Sequence, residues 1–260
     1  MASDRESCGA VPDPNRVGGP GWLSATGGRL TAAQKRQMLV VSLTTQRRLI
    51  AQKIRRRRPT SVDLSEIANF PDSRLVREAE EAALVQSPQI LGHAYRTALF
   101  ARALAKIDGV DVDDELLVVC GLLHDAGLVP SVLGQDFTVR SAAIACEVAN
   151  KVDRPETCDH LADAIVVHTT VGINVERDGA LGVYTQFGAM VDLIGFRERH
   201  LPHDFVARTV AAYPRDGLKK KIAEDFRSEA RAVPGGRFAF LRGVGFIPIV
   251  RMNSVPSRRS

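Results

Sequence analysis

An all-α fold is predicted for this 260-residue chain by three observations. Apolar residues recur at helical spacing in one segment after another between residues 31 and 231. No convincing polar/apolar alternation of the kind a half-buried strand shows occurs before residue 237. Asp and Ser residues stand just ahead of several of these segments, where their side chains can cap a helix N-terminus. A hydrophobic fraction of 45% with 25% charged residues is ordinary for a globular protein, and the length suits a single helical-bundle domain with a flexible N-terminal extension.

Taken in order, residues 1–29 are rich in Gly, Pro, Ser and Arg without periodicity, and read as a disordered segment. Residues 30–69 read as a basic helical extension and linker. Thr31 to Arg58 lacks Pro and Gly, draws an apolar face from residues such as Leu39, Leu43 and Ile50, and ends in the run Arg55–Arg58. Such a run is usually a solvated helix end; a contact with RNA, anionic lipid or an acidic partner is the other reading. Residues 70–232 form the main domain, with helices expected at 72–86, 89–107, 113–127, 137–151, 156–168, 181–199, 203–213 and 216–231. Asp72 or Ser73 can cap the first, and Asp113 and Asp114 favour the N-terminal end of the third. The stretch Arg237 to Val250 is rich in Phe, Val and Ile but broken by Gly and Pro, so residues 233–260 read as an extended tail on the body.

The net charge of +5 divides unevenly. Residues 1–59 carry +9 and residues 60–250 carry −7, so the body is acidic and only the ends are basic. Nucleic-acid binding by the body is therefore not expected, while the basic N-terminal helix stays open as a partner-binding element. No run of 18 apolar residues exists and Met1 to Pro20 lacks an apolar leader, which predicts a cytoplasmic protein that does not cross a membrane. In that setting Cys8, Cys120, Cys146 and Cys158 are expected to be reduced thiols. A homo-oligomer is compatible with the sequence.

Chemistry enters with His124 and Asp125. They end the apolar run Leu116 to Leu123, where polar groups are costly unless bonded or coordinated. His93, and Asp192 flanked by apolar residues on both sides, complete two imidazoles and two carboxylates. That mixed N/O set suits a divalent ion such as Zn, Fe, Mn or Co and leaves positions open for water.

The order His93, then His124-Asp125, then Asp192 resembles the signature of the HD superfamily of metal-dependent hydrolases. Phe70 to Ser73, Gly92 to Thr97, Leu122 to Gly127, Ala164 to Thr169, Gly188 to Gly195 and Tyr213 to Arg215 are similar to segments of its cyanamide hydratase-like branch, over roughly residues 70–230. The resemblance implies a compact helical bundle holding one metal, typically zinc, through His93, His124, Asp125 and Asp192. It also implies addition of water to a nitrile carbon, as in the conversion of cyanamide to urea. One position departs: members often carry Glu after Phe where this chain has Phe137-Thr138, which leaves cyanamide itself open.

Asp125 can coordinate and also accept a proton from water. Arg96, one turn after His93, is expected to hold a carboxylate or meet the substrate. His168 reads as a core histidine, as a pocket acid/base group or as a ligand of a second metal. Phe137, Thr138 and Thr169 are expected around a small-molecule substrate. Two other classes compete. An HD phosphohydrolase acting on a nucleotide or other phosphate ester would want several basic residues at the pocket, and only Arg96 and Arg140 lie near the motifs. A metal-bearing scaffold without activity is the third.

Overall fold

The computed structural model describes residues 13, 15–54, 62–253 and 255; the Arg55–Arg58 run lies outside the described residues. Among them the structure is built of thirteen α-helices and three short 3-10 turns, with no strand. The all-α expectation is met, and no helix is long and apolar enough to cross a membrane.

At the centre lies α4 (Pro88–Asp108), opened by Pro at its first position and closed by Gly109 in the left-handed region at φ 64°. Nearly every side chain from His93 to Ala105 is buried, as expected of a helix enclosed on all sides. Small residues let its neighbours come close. On α5 (Asp114–Leu123) a Cβ at Gly121 would stand 2.6 Å from the Ala98 Cα, and on α9 (Ala180–Ile194) a Cβ at Gly188 would strike the Thr97 carbonyl oxygen. These two helices flank α4 and carry the rest of the metal motif.

Around this triplet pack α3 (Arg74–Ala83) and the pair α6 (Phe137–Lys151) and α7 (Cys158–Val167). Ser73 and Asp113 cap α3 and α5 by accepting from the backbone N–H groups of Val76 and Leu116. After the short α8 (Val175–Asp178), α10 (His203–Ala212) and α11 (Leu218–Ala232) complete the body. The helix ending at α5 stops at Leu123 rather than 127, because His124 begins a turn. Likewise α9 stops at Ile194 because Gly195 adopts φ 71°.

Three expectations need correction. Residues 15–29 are not disordered: α1 (Pro20–Thr26) buries Trp22 and Leu23 against the bundle, and Arg16 pairs with Asp163 and Asp178 at 2.8 and 2.9 Å. The described part of the tail, residues 233–253, is not extended. It forms α12 (Arg237–Gly243) and α13 (Phe246–Arg251), the breaks at Gly243 and Gly245 separating two short helices whose Phe238, Ile247 and Val250 are buried. Cys146 and Cys158 are not free thiols but a disulfide, because the α6–α7 connection brings their Cα atoms to 4.7 Å. Only Cys120 is free among the described residues, and it is buried.

The expected basic helical extension is the single helix α2 (Ala32–Ile54). The two flanking segments also meet each other. Arg29 bridges Gly236, Leu30 donates to the Gly235 carbonyl at 3.0 Å, and the Arg237 guanidinium lies over the Trp22 ring. Arg237 is fully buried and holds Asp136, Thr138 and the Val166 carbonyl.

Candidate metal centre

Four elements deliver the site. His93 sits on the first turns of α4, His124 and Asp125 where α5 ends, His168 where α7 ends, and Asp192 on α9. Ending two helices at this point places histidine side chains beside main-chain carbonyls that have no helical partner. His124 Nδ1 accordingly donates to the Gly121 carbonyl at 2.8 Å, and His168 Nδ1 donates to the Ile165 carbonyl. His93 Nδ1 donates to Asp192 Oδ2 at 2.7 Å. Carbonyl and carboxylate oxygens only accept, so in each of the three rings Nδ1 carries a proton, and a ring that is neutral presents its lone pair at Nε2.

Those lone pairs converge. His93 Nε2 and His124 Nε2 stand 3.3 Å apart, and Asp125 Oδ2 lies 3.8 and 3.5 Å from them. His168 Nε2 is 3.8 Å from Asp125 Oδ1. Two acceptors and a carboxylate facing one another in a buried place repel unless a proton or a cation lies between them. Burial pushes the His124 pKa down to about 3, against the pull of Asp125, so a protonated His124 does not relieve the crowding. Asp125 is held below the usual carboxylate range: burial alone would raise it, but His124, His168 and His93 together outweigh that. The candidate ligand atoms of His93, His124 and Asp125 all lie within 4.8 Å of one another, and the donor set fits a divalent cation of the borderline class.

Asp192, expected as a fourth ligand, stands apart from the cluster on the Nδ1 side of the His93 ring. Its Oδ1 accepts from Arg96 Nε and Arg215 Nε at 2.8 Å each, and its Oδ2 accepts from Arg96 Nη2 and His93. Burial would raise its pKa, but Arg96 and Arg215 dominate and hold it far below the ordinary range. A carboxylate so engaged fixes the orientation and basicity of a histidine ligand.

The cluster opens on a cavity of about 450 Å³. His93, His124, Asp125, His168 and Thr169 line it, together with Val40, Val41 and Ser42 of α2 and an aromatic wall that includes Phe226, Phe238 and Phe246. Among the described residues no Lys or Arg lines it.

Arg96 is fully buried and holds the Asp192 carboxylate, the first of the two roles expected for it, together with the carbonyls of Tyr213 and Pro214. Two expected pocket residues stand outside the cavity wall. Phe137 packs edge-on behind His168 and against Phe238. Thr138 is closed off by Asp136 and Arg237. Sequence reasoning missed Arg215, although it lies in one of the segments quoted above, and it missed the cavity walls from α2, α12 and α13. Nothing local in those helices signals a pocket.

The family model of the HD domain matches residues 90–177. The matched span holds His93, His124, Asp125 and His168 and ends before Asp192. It supports the likeness to the HD superfamily, an all-α fold and in general one of metal-dependent hydrolases. No curated protein matches the chain.

Proposed function

We propose that this protein is a metal-dependent hydratase or hydrolase acting on an uncharged nitrile- or amide-like substrate, the class to which cyanamide belongs. His93, His124 and Asp125 hold the divalent ion, zinc before iron, manganese or cobalt, and Asp192 orients His93. A bound divalent ion lowers the pKa of a water toward neutrality and polarises the acceptor atom of a substrate. Asp125 and His168 manage the protons. His168 Nε2 and Asp125 Oδ1 stand 3.8 Å apart, too far for a direct hydrogen bond and suited to a water or substrate atom between them. The fixed Nδ1–H of His168 keeps its Nε2 as the base.

The observation that carries the reading is the convergence of imidazole Nε2 atoms on Asp125 at the wall of a cavity that no Lys or Arg among the described residues lines. The same absence weighs against a phosphate ester. Arg96, Arg215 and Arg140, the basic residues beside the motifs, are engaged by Asp192, the Val255 and Gly127 carbonyls and Glu229. The test is metal analysis of the purified protein, followed by turnover assays of the zinc, iron, manganese and cobalt forms with cyanamide, small nitriles, amides and deoxynucleotides. Amide or urea formation without phosphate release is expected. Phosphate release, or no stoichiometric metal, overturns the proposal.

A further inference from the structure

Most of the cavity wall is hydrocarbon. Five phenylalanines (187, 196, 226, 238 and 246) and aliphatic side chains from α2, α9, α12 and α13 surround the space beyond the histidines. Its volume of about 450 Å³ lies in the range of sites that enclose drug-sized ligands. A molecule as small as cyanamide would leave most of it empty, and an apolar space of this size gains from being filled.

The polar groups are few, and two are unspent. Gln186 Nε2 is committed to the carbonyls of His168 and Thr170, at 2.6 and 2.7 Å. Thr44 Oγ1 donates to the Val40 carbonyl. In contrast, the buried hydroxyls of Ser42 and Thr169 have no hydrogen-bond partner among the described residues, and both residues line the cavity. A buried hydroxyl without a partner is unfavourable, so each is a ready contact for a polar atom of a ligand.

Resting on the metal-dependent reading above, we propose that the substrate is an uncharged molecule with a large apolar body, of aryl-acetonitrile type. Its nitrile head meets Asp125 and His168, its body fills the phenylalanine-walled space, and Ser42 and Thr169 supply hydrogen bonds. Hydration then adds one water across the C≡N bond: oxygen bonds to carbon, both hydrogens end on nitrogen, and an amide forms with no co-reactant.

Binding is the readout, separate from turnover. Dissociation constants of the zinc-loaded protein are measured by titration calorimetry for propionitrile, phenylacetonitrile and 1-naphthylacetonitrile. Affinity should rise by about fourfold for each methylene-sized apolar group buried. Ser42→Ala should weaken the naphthyl nitrile severalfold, and Leu241→Trp should flatten the rise along the series. Equal affinities along the series overturn the proposal whatever the turnover. Steeply rising affinities without amide formation by any metal form uphold the cavity's ligand class and overturn the hydratase reading instead.

Discussion

Among single residues the sharpest contrast is between two aspartates. Asp125 faces the imidazole lone pairs, whereas Asp192 faces two guanidinium groups and the far nitrogen of His93. Asp125→Ala is therefore expected to abolish metal binding while far-ultraviolet circular dichroism and the urea midpoint change little. Asp192→Asn leaves Arg96 and Arg215 buried without their charge partner, which should destabilise by roughly 3–5 kcal/mol. In whatever fraction stays folded, metal affinity should fall by about 10–100-fold through the loosened His93. Urea melts and zinc titration of the two variants measure both effects. Acid adds a third readout. The folded-state pKa of Asp192 is lowered, so its stabilisation is complete above the unfolded value of about 4 and is lost as pH falls through the folded one. Asp192→Asn should lose that part of the stability slope in acid. His93, His124 and Asp125 were legible in the sequence because a polar pair ending an apolar run is chemically conspicuous. Which nitrogen of His93 meets which carboxylate was not, since that depends on ring orientation across α4 and α9.

Helices repeat this division between local and long-range information. The span of α6 at residues 137–151 and the Ser73 and Asp113 caps follow from local pattern, and they stand as read. The two helices after residue 236 were read as an extended tail, because Gly243, Gly245 and Pro248 look like interruptions when nothing shows the bundle surface that stabilises each short piece. Close approach is equally invisible in a sequence. Gly188→Ala drives a methyl group into the α4 backbone at Thr97 and Ala101, where no flexible side-chain end can yield. It should destabilise by about 1–3 kcal/mol in chemical denaturation, and Gly121→Ala similarly against Ala98. The Cys146–Cys158 link closes a loop of 12-residue separation between α6 and α7. Its reduction should lower stability by roughly 3 kcal/mol, read as a lower melting temperature with dithiothreitol than without. A Cys146→Ser protein should melt alike in both conditions.

Over the whole molecule, the described segments flanking the bundle, α2, α12 and α13, are walls of the cavity. The sequence shows their basic charge and their Gly and Pro content, and both features suggest appendages. What draws them in is buried pairing with residues more than 60 positions away, as when Arg237 reaches Asp136 and Val166. Burial would raise the Asp136 pKa, but Arg237 and Thr138 keep it low, so this pair is charged in the folded protein. Arg237→Ala should cost roughly 3–5 kcal/mol by leaving Asp136 unneutralised. It should also weaken binding of apolar ligands more than it weakens metal binding, which parallel calorimetric titrations can separate.

The bridge between Arg29 and Gly236 then acquires a meaning beyond packing. It clasps together two stretches that both lie outside the span matched by the HD family model, while the histidines and Asp125 lie inside it. Under the proposed function, substitutions in α2, α12 and α13 would reshape the cavity wall and leave the histidines and Asp125 as they are.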